Sequence, residues 1–194
     1  MMKTNQIENR AGGSATAPAG GDDGKMIVEG YAAILESPTV LFKDGETEYK
    51  EVIDRHAFDE CDMADVVFRY NHASNIVTLA RTCNDTLSLA VDKKGLHIRA
   101  ELADVTLGRD LYTLIQRGDV SKMSFAFTVR EDSYDSKTHT RRILKVDRVV
   151  DVSAVDFPAY DDTSIGEARD YFAAQDRAFA RKEEIKRLIL RTML

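Results

Sequence analysis

Apolar residues recur along this chain with two different periods. In "SKMSFAF", Ser121 to Phe127, the large residues Met123, Phe125 and Phe127 alternate with small ones, and Val129 continues the series. Successive side chains of a strand point to opposite faces. One face is therefore expected to fill a core. The other, carrying Ser124, Ala126 and Thr128, stays low around a hydroxyl. "DVVFRYNH" also alternates and sets Val66, Phe68, Tyr70 and His72 on one face. "MIVEGYAAI" and "EYKEVI" read as short strands separated by the Pro- and Gly-containing loop "ESPTVLFKDGET". "TLSLAVDKKGLHIRAEL" reads as a hairpin turning near Lys94-Gly95. After the polar turn region "DSYDSKTHT", "RRILKVDRVVDVSAVDF" reads as one long or bent strand. The period changes in "ADVTLGRDLYTLIQRGD", where Leu107, Leu111, Leu114 and Ile115 lie at helical spacing. Asp104 or Thr106 can cap that helix, and Gly118 can close it in the left-handed conformation.

The pattern divides the chain into three parts. Residues 1–24 include "AGGSATAPAGGDDG", whose lack of large apolar side chains predicts a flexible arm. Residues 25–166 form the folded domain. Residues 167–194 predict a charged helix, with Phe172, Phe179, Ile185, Leu188 and Ile189 near helical spacing. Many strands with one internal helix argue for a mainly β, α+β domain, a barrel or a sandwich, and against a doubly wound α/β fold.

Composition narrows the function. With 27 basic and 33 acidic residues the net charge is −6, which argues against general nucleic-acid binding. No apolar run approaches the roughly 18 residues of a membrane span, and "MMKTNQIENR" has no apolar core of a secretory signal. Cys61 and Cys83 form no metal or redox motif and are expected as free thiols. The histidines at 56, 72, 97 and 139 have no zinc-ligand spacing, so neither metal nor cofactor is expected.

The candidate chemistry is nucleophilic. A serine hydroxyl needs a base to take its proton, and the base works best when a third group orients it. Ser124 is a candidate nucleophile, or a small residue that lets two elements approach. His72 ends an apolar face and is a candidate base, or a strand-end histidine bonded to backbone. Asp151 lies among valines in "RVVDVSAV", where a carboxylate must be paired. It is a candidate orienter, or a partner for Arg148 or Arg81. The G-x-S-x-G elbow of α/β-hydrolases is absent.

The segments "VEGYAAI", "EVIDRHAFDE", "YNHASNIVTLART", "TLSLAVDKKGLHIRAEL", "GRDLYTLIQRGDVSKMSFAF" and "DVSAVDFPAYDDTSI" together resemble the prohead proteases of tailed phages, over about residues 26–166. That family is similar in fold to the herpesvirus maturation protease (assemblin). The resemblance implies a closed or partly closed β-barrel with helices around it. It assigns His72 as general base, Ser124 as nucleophile and Asp151 as the acidic third member, with Asp156 and His139 as alternatives for that third place. The implied activity is a serine endopeptidase. It would remove the scaffolding segment of the major capsid protein, and cleave itself, inside the immature capsid in the bacterial host cytoplasm. The alternative is a non-catalytic assembly protein of the same fold. Implied partners are the major capsid protein, its scaffolding segment and the enzyme itself; fold analogy adds a homodimer. The C-terminal helix would bind scaffold, be self-cleaved, or mediate oligomerisation.

Overall fold

The computed structural model describes residues 4–17, 24–75, 77–156 and 162–192. Among the described residues, ten strands and two α-helices follow in chain order. The strands are β1 (Thr4–Thr16), β2 (Ile27–Ile34), β3 (Thr39–Asp44), β4 (Thr47–Ile53), β5 (Val67–Tyr70) and β6 (Ala80–Arg81), then β7 (Leu87–Val91), β8 (Gly95–Glu101), β9 (Lys122–Asp135) and β10 (Thr140–Val155). Helix α1 (Thr106–Arg117) precedes β9, and α2 (Asp162–Thr192) follows β10. The sheet order is β3-β4-β10-β9-β1-β2-β8-β7, with β5 and β6 branching from β10.

The hairpin β9–β10 is the spine. Met123, Phe125 and Phe127 are fully buried, as the alternation predicts, and Phe125 and Phe127 stack at 4.5 Å. They meet Val28, Phe68, Leu96, Ile98 and Val152 in one core. Strand β10 is long enough to serve two parallel neighbours on its outer edge. Thr140–Ile143 pair with β4, and Asp151–Ala154 pair with β5.

The sheet is mixed and is not closed into a barrel, which corrects the expected architecture. The gap lies between β6 and β7, which no described ladder joins. Strand β6 is two residues long. Beyond it the Thr86 hydroxyl accepts from the Arg81 N–H at 2.8 Å and donates to the Arg81 carbonyl, so a side chain satisfies the edge that a neighbouring strand would need.

Three local readings also change. Residues 4–16, expected in a flexible arm, are strand β1, paired along β9 from Thr4 to Ser14. The small residues that argued for disorder are what fit there. A Cβ built at Gly12 would lie 1.6 Å from the Ala32 carbonyl oxygen. The loop expected between the first two predicted strands contains β3. Leu41 is buried, and Phe42 stacks on Tyr49 at 4.5 Å, against Phe172 of α2. Part of the covering surface, Ala168 and Phe172, comes from α2 far along the chain. Finally, α1 begins after Val105 with no side-chain cap, because the N-cap position falls on a valine, which has no acceptor, while the neighbouring Asp104 pairs with Arg109. Its end is as expected: Gly118 has φ 86°, and its N–H reaches the carbonyls of Leu114 and Ile115.

Candidate active site

Ser124, Ser153 and Asp151 share one face of the sheet because of a bulge. Val149 faces Phe127 across the β9–β10 ladder, and regular pairing would then set Asp151 opposite Phe125, on the core side. An extra residue is inserted there instead. Asp151 opposes Ala126, Val152 opposes Phe125 and Ser153 opposes Ser124. Val149 and Val152 thus both stay in the core while Asp151 turns toward the serine.

His72 comes from a strained turn at the end of β5. Asn71 and His72 have φ of 52° and 54°, in the left-handed region that costs a non-glycine residue of order 1–3 kcal/mol. A hydrogen-bond cluster holds it. The Asn71 N–H donates to the Ala154 carbonyl at 3.0 Å, and the Asn71 amide donates to Asp156 at 3.0 Å. Tyr70 donates to the same Asp156 oxygen at 2.6 Å, and that bond raises the Tyr70 hydroxyl above its ordinary pKa. The His72 N–H donates to Ser153 Oγ at 3.2 Å, and Ser153 Oγ donates to Asp151 Oδ1 at 3.0 Å.

The three side chains form a continuous chain. His72 Nε2 lies 2.7 Å from Ser124 Oγ, and Nδ1 lies 2.6 Å from Asp151 Oδ1. A carboxylate accepts only, so Nδ1 carries the proton, and in the neutral ring Nε2 is left with a lone pair facing the serine. Ser124, Asp151 and Ser153 are buried and the His72 side chain is 11% exposed, so these bonds are largely shielded from solvent.

The alternatives for the third place lie elsewhere. Asp156 anchors the turn beneath His72 through Tyr70 and Asn71. His139 sits in the turn at the far end of the β9–β10 hairpin, 3.0 Å from the Tyr134 hydroxyl and packed on Tyr49. Arg81 pairs with Asp65, not with Asp151. Ser153 went unremarked in the sequence. It stands two residues after Asp151 in a strand, a spacing that puts both on one face.

The strand that covers the serine is β1. Ala11 is in register with Ser124, and the Arg10 carbonyl oxygen is 2.9 Å from Ser124 Oγ. The Arg10 side chain is buried. Its Nε donates to Glu51 at 2.6 Å and its Nη2 to Glu8 at 2.5 Å. Arg141 completes the cluster against Glu8, Glu51 and Asp132. Burial alone would raise the Glu8 pKa, but Arg141 and Arg10 outweigh it and hold the carboxyl below its ordinary value. Among the described residues, no group of three or more His, Cys, Asp or Glu could hold a metal ion, and no helix is long and apolar enough to cross a membrane.

Comparison with known proteins adds three findings. The family model described as Caudovirus prohead serine protease matches residues 14–177. The chain is similar to the prohead protease of Enterobacteria phage HK97, 28% identical over 149 residues, which cover 75% of this chain and 61% of that protein's length. A solved structure, the capsid assembly protease of bacteriophage T4, aligns with a TM-score of 0.49 at 14% identity, covering 79% of this chain and 98% of the other.

Proposed function

This chain belongs to the Caudovirus prohead serine protease family, and we propose that His72, Ser124 and Asp151 are the catalytic residues of its peptidase activity. The observation that carries the proposal is the unbroken contact chain of 2.7 Å and 2.6 Å from the Ser124 hydroxyl through His72 to Asp151. His72 takes the Ser124 proton as Oγ attacks the carbonyl carbon of a peptide. Asp151 holds the ring with Nδ1 protonated and stabilises the imidazolium that forms. His72 then protonates the leaving amine, which leaves an acyl-enzyme on Ser124. Water, deprotonated by the same histidine, releases it.

The substrate in this reading is the major capsid protein, cut at its scaffolding segment inside the immature phage capsid in the host cell, and the protease itself. The family description and the name of the HK97 relative, a prohead protease, support the capsid setting of that reading; the chain spans about three-fifths of the length of the HK97 protein. Confinement within a capsid raises the effective concentration of substrate, so modest affinity suffices.

The test is Ser124→Ala, compared with the native chain in co-expression with the capsid protein. The substituted chain should assemble but leave the capsid protein at full length. It should also fail to react with a fluorophosphonate, which labels activated serines. Full processing by Ser124→Ala would overturn the assignment of Ser124 as nucleophile, and a native chain that neither labels nor processes capsid protein would return the non-catalytic assembly protein as the better reading.

A further inference from the structure

Resting on that reading, we propose that Asn71 and Asp156 are positioning residues of the peptidase, and that the clasp between them sets the face of the sheet on which the catalytic base lies. The alternation of "DVVFRYNH" places His72 on the face of Val66, Phe68 and Tyr70. Val66 and Phe68 are fully buried, and Tyr70 packs against the same core. Strand β5 runs parallel to β10 in the register Val67–Asp151 to Tyr70–Ala154. Continued straight, it would bring Asn71 beside Val155 and His72 beside Asp156. The imidazole would then lie beyond Ser153 and on the core face, out of reach of the serine.

The chain departs from that course at Asn71 and His72, which both take the left-handed conformation. The His72 N–H reaches Ser153 Oγ, and the ring reaches Asp151 and Ser124. Those three residues alternate with the core residues Val152 and Phe125, so the base has crossed to the opposite face. The Asn71 side chain takes over the pairing that the backbone gives up. Its Oδ1 accepts the Asp156 N–H at 3.2 Å, and its Nδ2 donates to Asp156 Oδ2 at 3.0 Å. The Asn71 N–H still donates to the Ala154 carbonyl at 3.0 Å, and the Ala73 N–H closes the turn on the Tyr70 carbonyl at 3.1 Å. Tyr70 steadies the carboxylate by donating to the same Oδ2 at 2.6 Å.

Asparagine suits this place twice. Its short polar side chain tolerates a positive φ, and it offers a donor and an acceptor together. A carboxylate oxygen can accept from both Tyr70 and Asn71. Neither clasp residue bonds to the His72 ring or to Ser124, and both are exposed. Hydrogen bonds in such a place add little to the stability of the fold. Their loss should therefore cost the rate far more than the melting temperature, which separates positioning from a structural role.

The experiment follows fluorophosphonate labelling of Ser124 in the full chain, resolved into kinact and KI, beside a melting curve. A third readout is the low-field proton NMR signal of the His72 Nδ1–H that donates to Asp151. Asp156→Ala should lower kinact by about 100-fold, the loss that a displacement of about 1 Å can cause. KI and Tm should change little, and the low-field signal should be lost. Asn71→Asp removes the amide donor and sets two carboxylates against each other, so it should be as slow. Combining Asn71→Asp with Asp156→Asn restores one amide and one carboxylate with their places exchanged, and should recover most of kinact and the signal. Native kinact with an unchanged signal in Asp156→Ala overturns this inference and leaves the serine protease reading standing. So does a double variant no faster than Asn71→Asp alone. A native chain that does not label at Ser124 and leaves capsid protein uncut defeats both.

Discussion

Replacing Ser153 by alanine isolates the part of the site that orients rather than reacts. Its hydroxyl donates to Asp151 Oδ1 at 3.0 Å and accepts the His72 N–H at 3.2 Å, in a place with no solvent exposure. The first bond is made to a charged acceptor, about 1.5–3 kcal/mol, and an N–H left unsatisfied in a buried position costs about 1–3 kcal/mol. The two overlap, so a total near 2–4 kcal/mol is expected. For a domain of this size that lowers Tm by roughly 5–15 °C. The rate suffers separately. If about 2 kcal/mol of the loss falls on holding His72 and Asp151 in line, kcat drops roughly 30-fold with KM little changed. The assay is peptide cleavage resolved into kcat and KM at a temperature where the variant is folded, beside a melting curve. Ser153→Thr serves as the second arm. It restores the hydroxyl while overpacking the site, at a cost of about 1–3 kcal/mol, so it should melt low yet recover much of kcat. An alanine variant with native kcat, or a threonine variant as slow as alanine, would refute the claim that Ser153 positions the histidine.

Asp151→Asn should reduce kcat by about four orders of magnitude, because the amide favours the wrong histidine tautomer. His139→Ala should leave it within a few-fold, and the reverse outcome in the same cleavage assay would move the third member of the site to His139. Acidification should release β1. A carboxyl held below its ordinary value, as Glu8 is by Arg141 and Arg10, stabilises the docked strand above the unfolded pKa of about 4.3 and loses that contribution as pH falls through its lower folded value. Protection factors for hydrogen exchange at residues 6–10, taken against the intrinsic rate at each pH, should therefore be high at neutral pH and fall in acid as pH drops through the lowered Glu8 value, and protection factors unchanged through the whole acid range would contradict the assignment of that network to docking. Phe172→Ala removes a buried ring that packs on Phe42, Tyr49, Tyr134 and Tyr171, at a cost of about 3–5 kcal/mol. Limited proteolysis should then cut α2 early while Ser124 labelling is unchanged.

Much of this was legible before any coordinates. The alternation around Met123, Phe125 and Phe127 placed that segment in the core, and the 3.6-residue spacing of Leu107, Leu111 and Ile115 marked α1, because both signals are carried by the segment itself. Strand β3 was not legible. Leu41 and Phe42 are covered by α2, more than a hundred residues later. Strand β1 was misread for a similar reason. Ala, Gly and Ser cannot hold a strand by their own burial, but they fit a slot between β9 and β2 where larger residues would collide with Ala32.

The candidate site divides in the same way. The sequence by itself determined which residues could supply a nucleophile, a base and an acid, since hydroxyl, imidazole and carboxylate chemistry belongs to the residue type. It also showed that Asp151, among valines, needed a partner. Only the tertiary structure decided what that partner was. A one-residue bulge after Val149 turns Asp151 away from Phe125 and onto the face of Ser124, and no hydrophobic pattern encodes a bulge directly. Bonds from Asn71 to Ala154 and Asp156 then fold the end of β5 back so that His72 reaches both. The strand that lies over Ser124 was decided there too. Which strand covers a serine depends on which edge of β9 is free, and that is a property of the assembled sheet.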